Sequence, residues 1–228
     1  MKIRTLALSA LSVFAIATLA GAADMKTGST DMTGGAPAQT PAPAKAQAPE
    51  SAGGAGGFKQ FKLYTDANSP DNHYAPSGWM GDWGDLKVNV ADFEQPHSGA
   101  TAIRIDYSGE KTQGANWSGI YWQNPPNNWG SRPGGYDLTG AKKLTFWAKG
   151  SKGGEVIHEV RVGGISGEYP DSDVAGFGPV KLTNEWQKFE IDLSDKDLSS
   201  ISGGFMWSAN TDANPTGFTI YFDDMIFE

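Results

Sequence analysis

The sequence predicts an all-β fold, an antiparallel β-sandwich, and three observations carry that prediction. Apolar and polar residues alternate in short runs. Each run closes on Gly, Pro, Asn or Asp, the residues that punctuate turns. No long stretch repeats apolar residues at the spacing of a helix, and no period of a solenoid or propeller recurs.

The runs follow in chain order. In TAIRIDY, Ile103, Ile105 and Tyr107 share one face, with Arg104 and Asp106 on the other. In KLTFWAK, Leu144, Phe146 and Ala148 oppose Lys143, Thr145 and Trp147. EVIHEVRV sets Val156, Val160 and Val162 against Glu155, Glu159 and Arg161, which makes His158 semi-buried. QKFEIDL turns Phe189, Ile191 and Leu193 inward, and Phe218 to Phe227 reads as the closing strand. Two sheets, each with one buried face, satisfy this pattern.

The runs lie within residues 58–228, which hold all eight tryptophans and fit one domain. Residues 1–22 read as a secretory signal peptide: Lys2 and Arg4, an apolar run from Leu6 to Leu19, then Ala20-Gly21-Ala22 as a cleavage pattern. A membrane anchor is the alternative, but the run is short for a span. Residues 23–57 are Ala, Gly, Pro, Ser and Thr with little to bury, a disordered linker. The expected location is secreted or periplasmic. With no cysteine, disulfides and thiol nucleophiles are excluded. The formal charge of -8 argues against a nucleic-acid partner. No membrane insertion is expected after signal cleavage, and a monomer is expected.

Outward positions on a sandwich are normally polar, yet several here are aromatic. Trp147 is in phase with Lys143 and Thr145, Trp117 and Tyr121 with Gln123, and Trp186 with Lys188 and Glu190. The stretch GIYWQNPPNNWG (119–130) adds amides and indoles where neither a core strand nor a plain loop needs them. Ile120 and Trp122 point inward by phase, Pro125-Pro126 stops the strand, and Asn127, Asn128 and Trp129 follow in the loop. Such rings beside amides suit a flat ligand with C–H faces and a hydroxyl rim, as a pyranose has. The candidate carbohydrate-binding residues are Trp79, Trp83, Tyr121, Asn127, Asn128, Trp129, Trp147, Arg104 and Asp171. For each, a purely structural role in a turn or a self-packed loop is the alternative.

The order of five segments resembles the jelly-roll carbohydrate-binding modules with a galactose-binding-like fold. These segments are FKLYTD (61–66), HSGATAIRI (97–105), YDLTGAKKLTFWA (136–148), LTNEWQKFEIDL (182–193) and YFDDMIF (221–227). The resemblance implies a non-catalytic domain that binds a polysaccharide or oligosaccharide. It also implies one structural calcium (Ca2+) between the chain ends, with Asp66 and Asp223 as ligands. The first-strand match is imperfect, because the usual acid follows the aromatic directly and here Tyr64-Thr65 intervene.

Two other classes stay open. One is a jelly-roll glycoside hydrolase or lyase; a retaining glycosidase needs two carboxyls about 5–5.5 Å apart and an inverting one about 6.5–9.5 Å. Glu155 and Glu159 are about 13 Å apart along one strand, which leaves a cross-strand pair of Glu159 with Asp106 or Glu190. No G-x-S-x-G, Walker or H-E-x-x-H motif occurs. A structural or adhesive envelope protein would use the same rings for protein contact.

Overall fold

The computed structural model describes residues 57–228 together with Gly53–Gly54. The expected signal peptide, residues 1–22, and the expected linker apart from Gly53, Gly54 and Gly57 lie outside the described residues. A small hairpin of β1 (Gly53–Gly54) and β2 (Gly57–Phe58) precedes the sandwich. Then follow β3 (Phe61–Tyr64), β4 (Ala75–Gly81), a 3-10 turn (Trp83–Asp85), β5 (Leu86–Asp92), β6 (Ala102–Tyr107) and β7 (Trp117–Gln123). The second half holds β8 (Lys143–Gly150), β9 (Val156–Ile157), β10 (Glu159–Gly163), β11 (Val174–Phe177) and β12 (Val180–Lys181). It ends with β13 (Gln187–Asp192), β14 (Gly203–Asn210) and β15 (Phe218–Phe227).

These strands build the antiparallel sandwich that the alternation predicts. One sheet has five strands in the order β11-β10-β14-β7-β4. The other has six, β13-β8-β15-β6-β5 with β3 also on β15, and β9 and β12 form a separate pair. The inner faces meet in one apolar core. Ile103, Ile105, Leu144 and Phe146 from the six-stranded sheet pack there with Ile120, Trp122, Phe205 and Trp207 from the five-stranded one. All eight are at most 1% exposed. Removing a ring from such a site costs about 3–5 kcal/mol, transfer and cavity together.

Strand β15 sets the architecture. One edge pairs with β8 along its length. The other edge takes two partners in tandem, β6 at Phe218–Phe222 and β3 at Met225–Phe227. Irregular pairing between Asp223 and Ile226 marks the join, and Asp224 adopts a positive φ of 44° there. Carboxylates seal the gap. Asp66, just after β3, accepts the N–H groups of Ala100 (2.7 Å) and Thr101 (2.8 Å). Asp223 accepts those of His97 (2.8 Å), Ser98 (3.3 Å) and Asp224 (2.8 Å). The segment leading into β6 is thereby tied to the first and last strands.

One phase reading is corrected. Ile157, not Val156, is the buried residue, at 1% exposure, and His158 is exposed rather than semi-buried. The strand breaks at His158. Ile157 pairs with Val180 of β12, whereas β10 starts at Glu159 against Ser208 of β14. Single-residue alternation across 155–162 therefore mixes two strands of different phase.

Burial raises the Asp223 carboxyl to about 6, against the three N–H bonds that favour its charged form. An unfolded aspartate titrates near 3.9. The stabilising contribution of the protonated group is thus complete below about pH 4 and lost as pH rises through about 6. The Tm advantage of wild type over Asp223→Asn should be larger at pH 4.5 than at pH 7.5, as thermal melts at both pH values would show.

Candidate functional site

The outer face of the five-stranded sheet carries a trough, and the strand registers define it. Met80 pairs with Gly119, Gly119 with Ser208, and Ser208 with Glu159, so four strands contribute one row. One step of side-chain alternation away, Tyr121 pairs with Met206 and Met206 with Arg161. On the other side Trp117 pairs with Asn210. In the middle row Ser208 forms the floor, and the buried Gly119 beside it leaves room for the Met80 methyl. A Cβ on Gly119 would stand 2.6 Å from the Trp207 carbonyl oxygen and 3.1 Å from the Met80 methyl. The flanking rows are the walls. A hollow of about 410 Å³ lies between them, lined by Met80, Trp117, Glu159, Arg161, Ser208 and Asn210 among others. A second hollow of about 310 Å³ shares His158 and Glu159 and continues past Gly176 of β11. The trough therefore runs across the strands. Four inter-strand spacings from β4 to β11 give it a length of about 19 Å.

One wall is tightly packed. Tyr121, Ile165 and Met206 form a small apolar cluster with Met80 packed against it. The Arg161 guanidinium lies over the Tyr121 ring, 5.5 Å from its centroid, and reaches Glu159 at 3.6 Å. Its Nε is buried without a hydrogen-bond partner. Burial raises the Tyr121 phenol above its ordinary range, with Arg161 opposing, and the hydroxyl donates to the Gly163 carbonyl at 3.0 Å. Trp117 presents its ring at 39% exposure. The arrangement offers apolar rings and methyls beside amide, hydroxyl, guanidinium and carboxylate groups along one hollow.

The residues singled out from sequence distribute unevenly around this trough. Trp129 is 43% exposed but stands one step beyond it, edge-on to Tyr121 at 5.7 Å. Tyr121 is a wall support, not an open platform: it is 2% exposed beneath Trp129 and Arg161. Asn128 is fully buried, and its amide closes its own loop, donating to the Arg132 carbonyl at 2.9 Å and accepting from Gly130 N–H at 3.2 Å. Asn127 is exposed, and its N–H donates to Ser77 Oγ at 3.0 Å. Asp171 accepts N–H groups from Ile165, Ser202 and Gly203, pinning the loop after β10 to β14, and burial raises its pKa. Trp79 is 40% exposed at the sheet edge, in register with the core residue Ile120. Trp83 is 54% exposed on the 3-10 turn that follows β4.

Trp147 and Arg104 lie in the other sheet, away from the trough. Trp147 is covered by His97, stacked at 3.8 Å, with Trp186 edge-on to His97 at 5.8 Å. Arg104 is engaged with Asp106 at 3.1 Å. The cross-strand carboxylate pairs considered from sequence do not form, because Glu159 is in the five-stranded sheet while Asp106 and Glu190 are in the six-stranded one. Sequence reasoning missed Met80, Glu159, Arg161, Ser208 and Asn210 as one site. The outward phase of Glu159 and Arg161 was legible, but the row joining them to Met80 exists only in the pairing.

As arranged, Asp66 and Asp223 do not fit a calcium centre. Calcium takes six to eight oxygens, whereas these carboxylates face five backbone N–H groups, whose positive ends repel a cation. Among the described residues no three His, Asp or Glu side chains converge as a metal-ligating group. A hollow of about 490 Å³ at the sandwich end, among 106–108, 151–155 and 213–219, has no exposed aromatic ring in its lining.

No protein-family model matches the chain, and no curated protein matches it. Solved structures do. A family 30 carbohydrate-binding module aligns with a TM-score of 0.51 at 18% identity, over 74% of this chain and 87% of that one. The family 30 module of the cellulosomal cellulase Cel9D-Cel44B of Clostridium thermocellum aligns with a TM-score of 0.50 at 18% identity, over 75% of this chain and 98% of that one. At this identity the likeness is one of fold, and it agrees with the jelly-roll sandwich. If the N–H donors suffice to hold the loop, EDTA should leave the Tm unchanged, while Asp66→Ala should lower stability by about 2–4 kcal/mol, as charge-assisted bonds are lost.

Proposed function

We propose that this protein binds a polysaccharide or oligosaccharide without cleaving it, and that the cross-strand trough is the site. The observation that carries the reading is the trough itself: a hollow running across the strands on the outer sheet face, with Ser208 at its floor between an exposed indole and a guanidinium. A chain of linked sugar rings has the matching shape. Its C–H faces would rest on Trp117 and Met80, and its hydroxyls would meet Asn210, Ser208, Glu159 and Arg161. The solved structures that share the fold are named as carbohydrate-binding modules, which supports the same reading.

The proposal extends to where and how the protein works. The leader pattern in residues 1–22 supports a secreted or periplasmic protein. The acidic chain supports a partner other than nucleic acid. A monomer suffices, since one domain carries the whole trough.

A panel of soluble neutral glycans read by tryptophan fluorescence and calorimetry tests this, with reducing-end release as the control for cleavage. Trp117→Ala should weaken binding of the responding glycan about tenfold, roughly 1.4 kcal/mol, with little change in Tm because the ring is half exposed. Trp147→Ala, on the opposite sheet, should leave the affinity unchanged. Equal losses from the two variants, or none from Trp117→Ala, would remove the trough as the site.

A further inference from the structure

The charges of the trough point to a selectivity that its shape alone does not set. The lining holds one guanidinium, Arg161, and two carboxylates, Glu159 and Asp212, with the exposed His158 beside them. Glu159 and Arg161 are alternate residues of β10 on the same outward face, and their side chains meet at 3.6 Å. A pair this exposed adds little to stability. Its consequence for recognition is larger. An Arg fork is the group best built to take a carboxylate in two parallel hydrogen bonds. Here the protein's own Glu159 carboxylate stands at ion-pair distance, 3.6 Å, from one nitrogen of that fork, and the Tyr121 ring lies beneath it.

We propose that Glu159 is the specificity-determining residue that reserves this trough for uncharged glycans. It offsets the charge of Arg161 that would attract the carboxylates of a uronate-bearing chain, and with Asp212 it makes the lining net negative where such a chain would lie. Neutral hydroxyls bond to the paired Arg161 and Glu159 as donors and acceptors alike. A uronate meets like charge instead, which is discrimination by repulsion as much as by fit. This rests on the carbohydrate reading above and adds the charge class of the ligand to it.

The test uses the full chain and matched polymers: a soluble glucan, a mannan and a galactan, each beside its counterpart oxidised at C6 to the polyuronate. Affinities are measured at 10 mM and 500 mM NaCl. For whichever backbone binds, the oxidised form should bind wild type at least ~10-fold more weakly at low salt, and the gap should shrink at high salt, where charges are screened. Glu159→Gln frees Arg161 and should bring the oxidised form to within about threefold of the neutral one. Asp212→Asn, which leaves the Arg161 pair intact, should narrow the gap less. Thermal melts establish that both variants are folded. Equal wild-type affinity for the two forms, or an unchanged ratio in a folded Glu159→Gln, overturns the role of Glu159. If no polymer of either kind binds, the carbohydrate reading itself falls.

Discussion

The double use of one edge of β15 is the constraint on which the sandwich rests. A strand edge normally takes one partner, and here it takes β6 and β3 in succession. That leaves a junction where ladder pairing stops, and unpaired backbone groups near a core are costly. Asp66 and Asp223 resolve it by accepting the N–H groups of the segment between the two partners. The six-stranded sheet is then continuous, and the five-stranded sheet has a fixed surface to pack on. The same anchoring holds His97 flat over Trp147, with its Nδ1 at 2.7 Å from Asp224. One face of the molecule is thereby closed by its own loop, and the opposite face is left open.

On the open face, backbone choices decide what is exposed. Gly119 lets the Met80 methyl lie across it, and Gly176 lets Arg161 lie close, since a Cβ there would stand 2.5 Å from that of Arg161. The irregular pairing between Pro76 and Gly78 sets Met80 opposite Gly119 rather than beside it. Loop amides such as Asn128 hold the surroundings still. Preorganisation of this kind lowers the ordering cost of binding a flexible chain.

Much of the fold was legible. Alternation placed Ile103, Phe146, Ile120 and Trp122 inward, because period-two burial is a local property of a strand. It failed at His158, where two short strands with different partners abut. The site was less legible. A surface that crosses strands draws its residues from four distant segments, and bulges shift the β4–β7 and β7–β14 registers by a residue, so the adjacency of Met80 and Glu159 is not a local property. Amide-rich composition misled as well: the side chain of Asn128 looks the same in sequence whether it serves a ligand or its own loop. Exposure likewise separates Trp117 from Tyr121, although both have the same phase on β7.

The orientation of the trough has a mechanical corollary. A guest lying at right angles to the strands touches β4, β7, β14 and β10 together, as a crossbeam spans planks. Lateral fraying of the outer planks, above all β4 with its free margin, would then require the guest to let go. Occupancy should therefore slow amide exchange along whole ladders, including backbone that the guest never reaches.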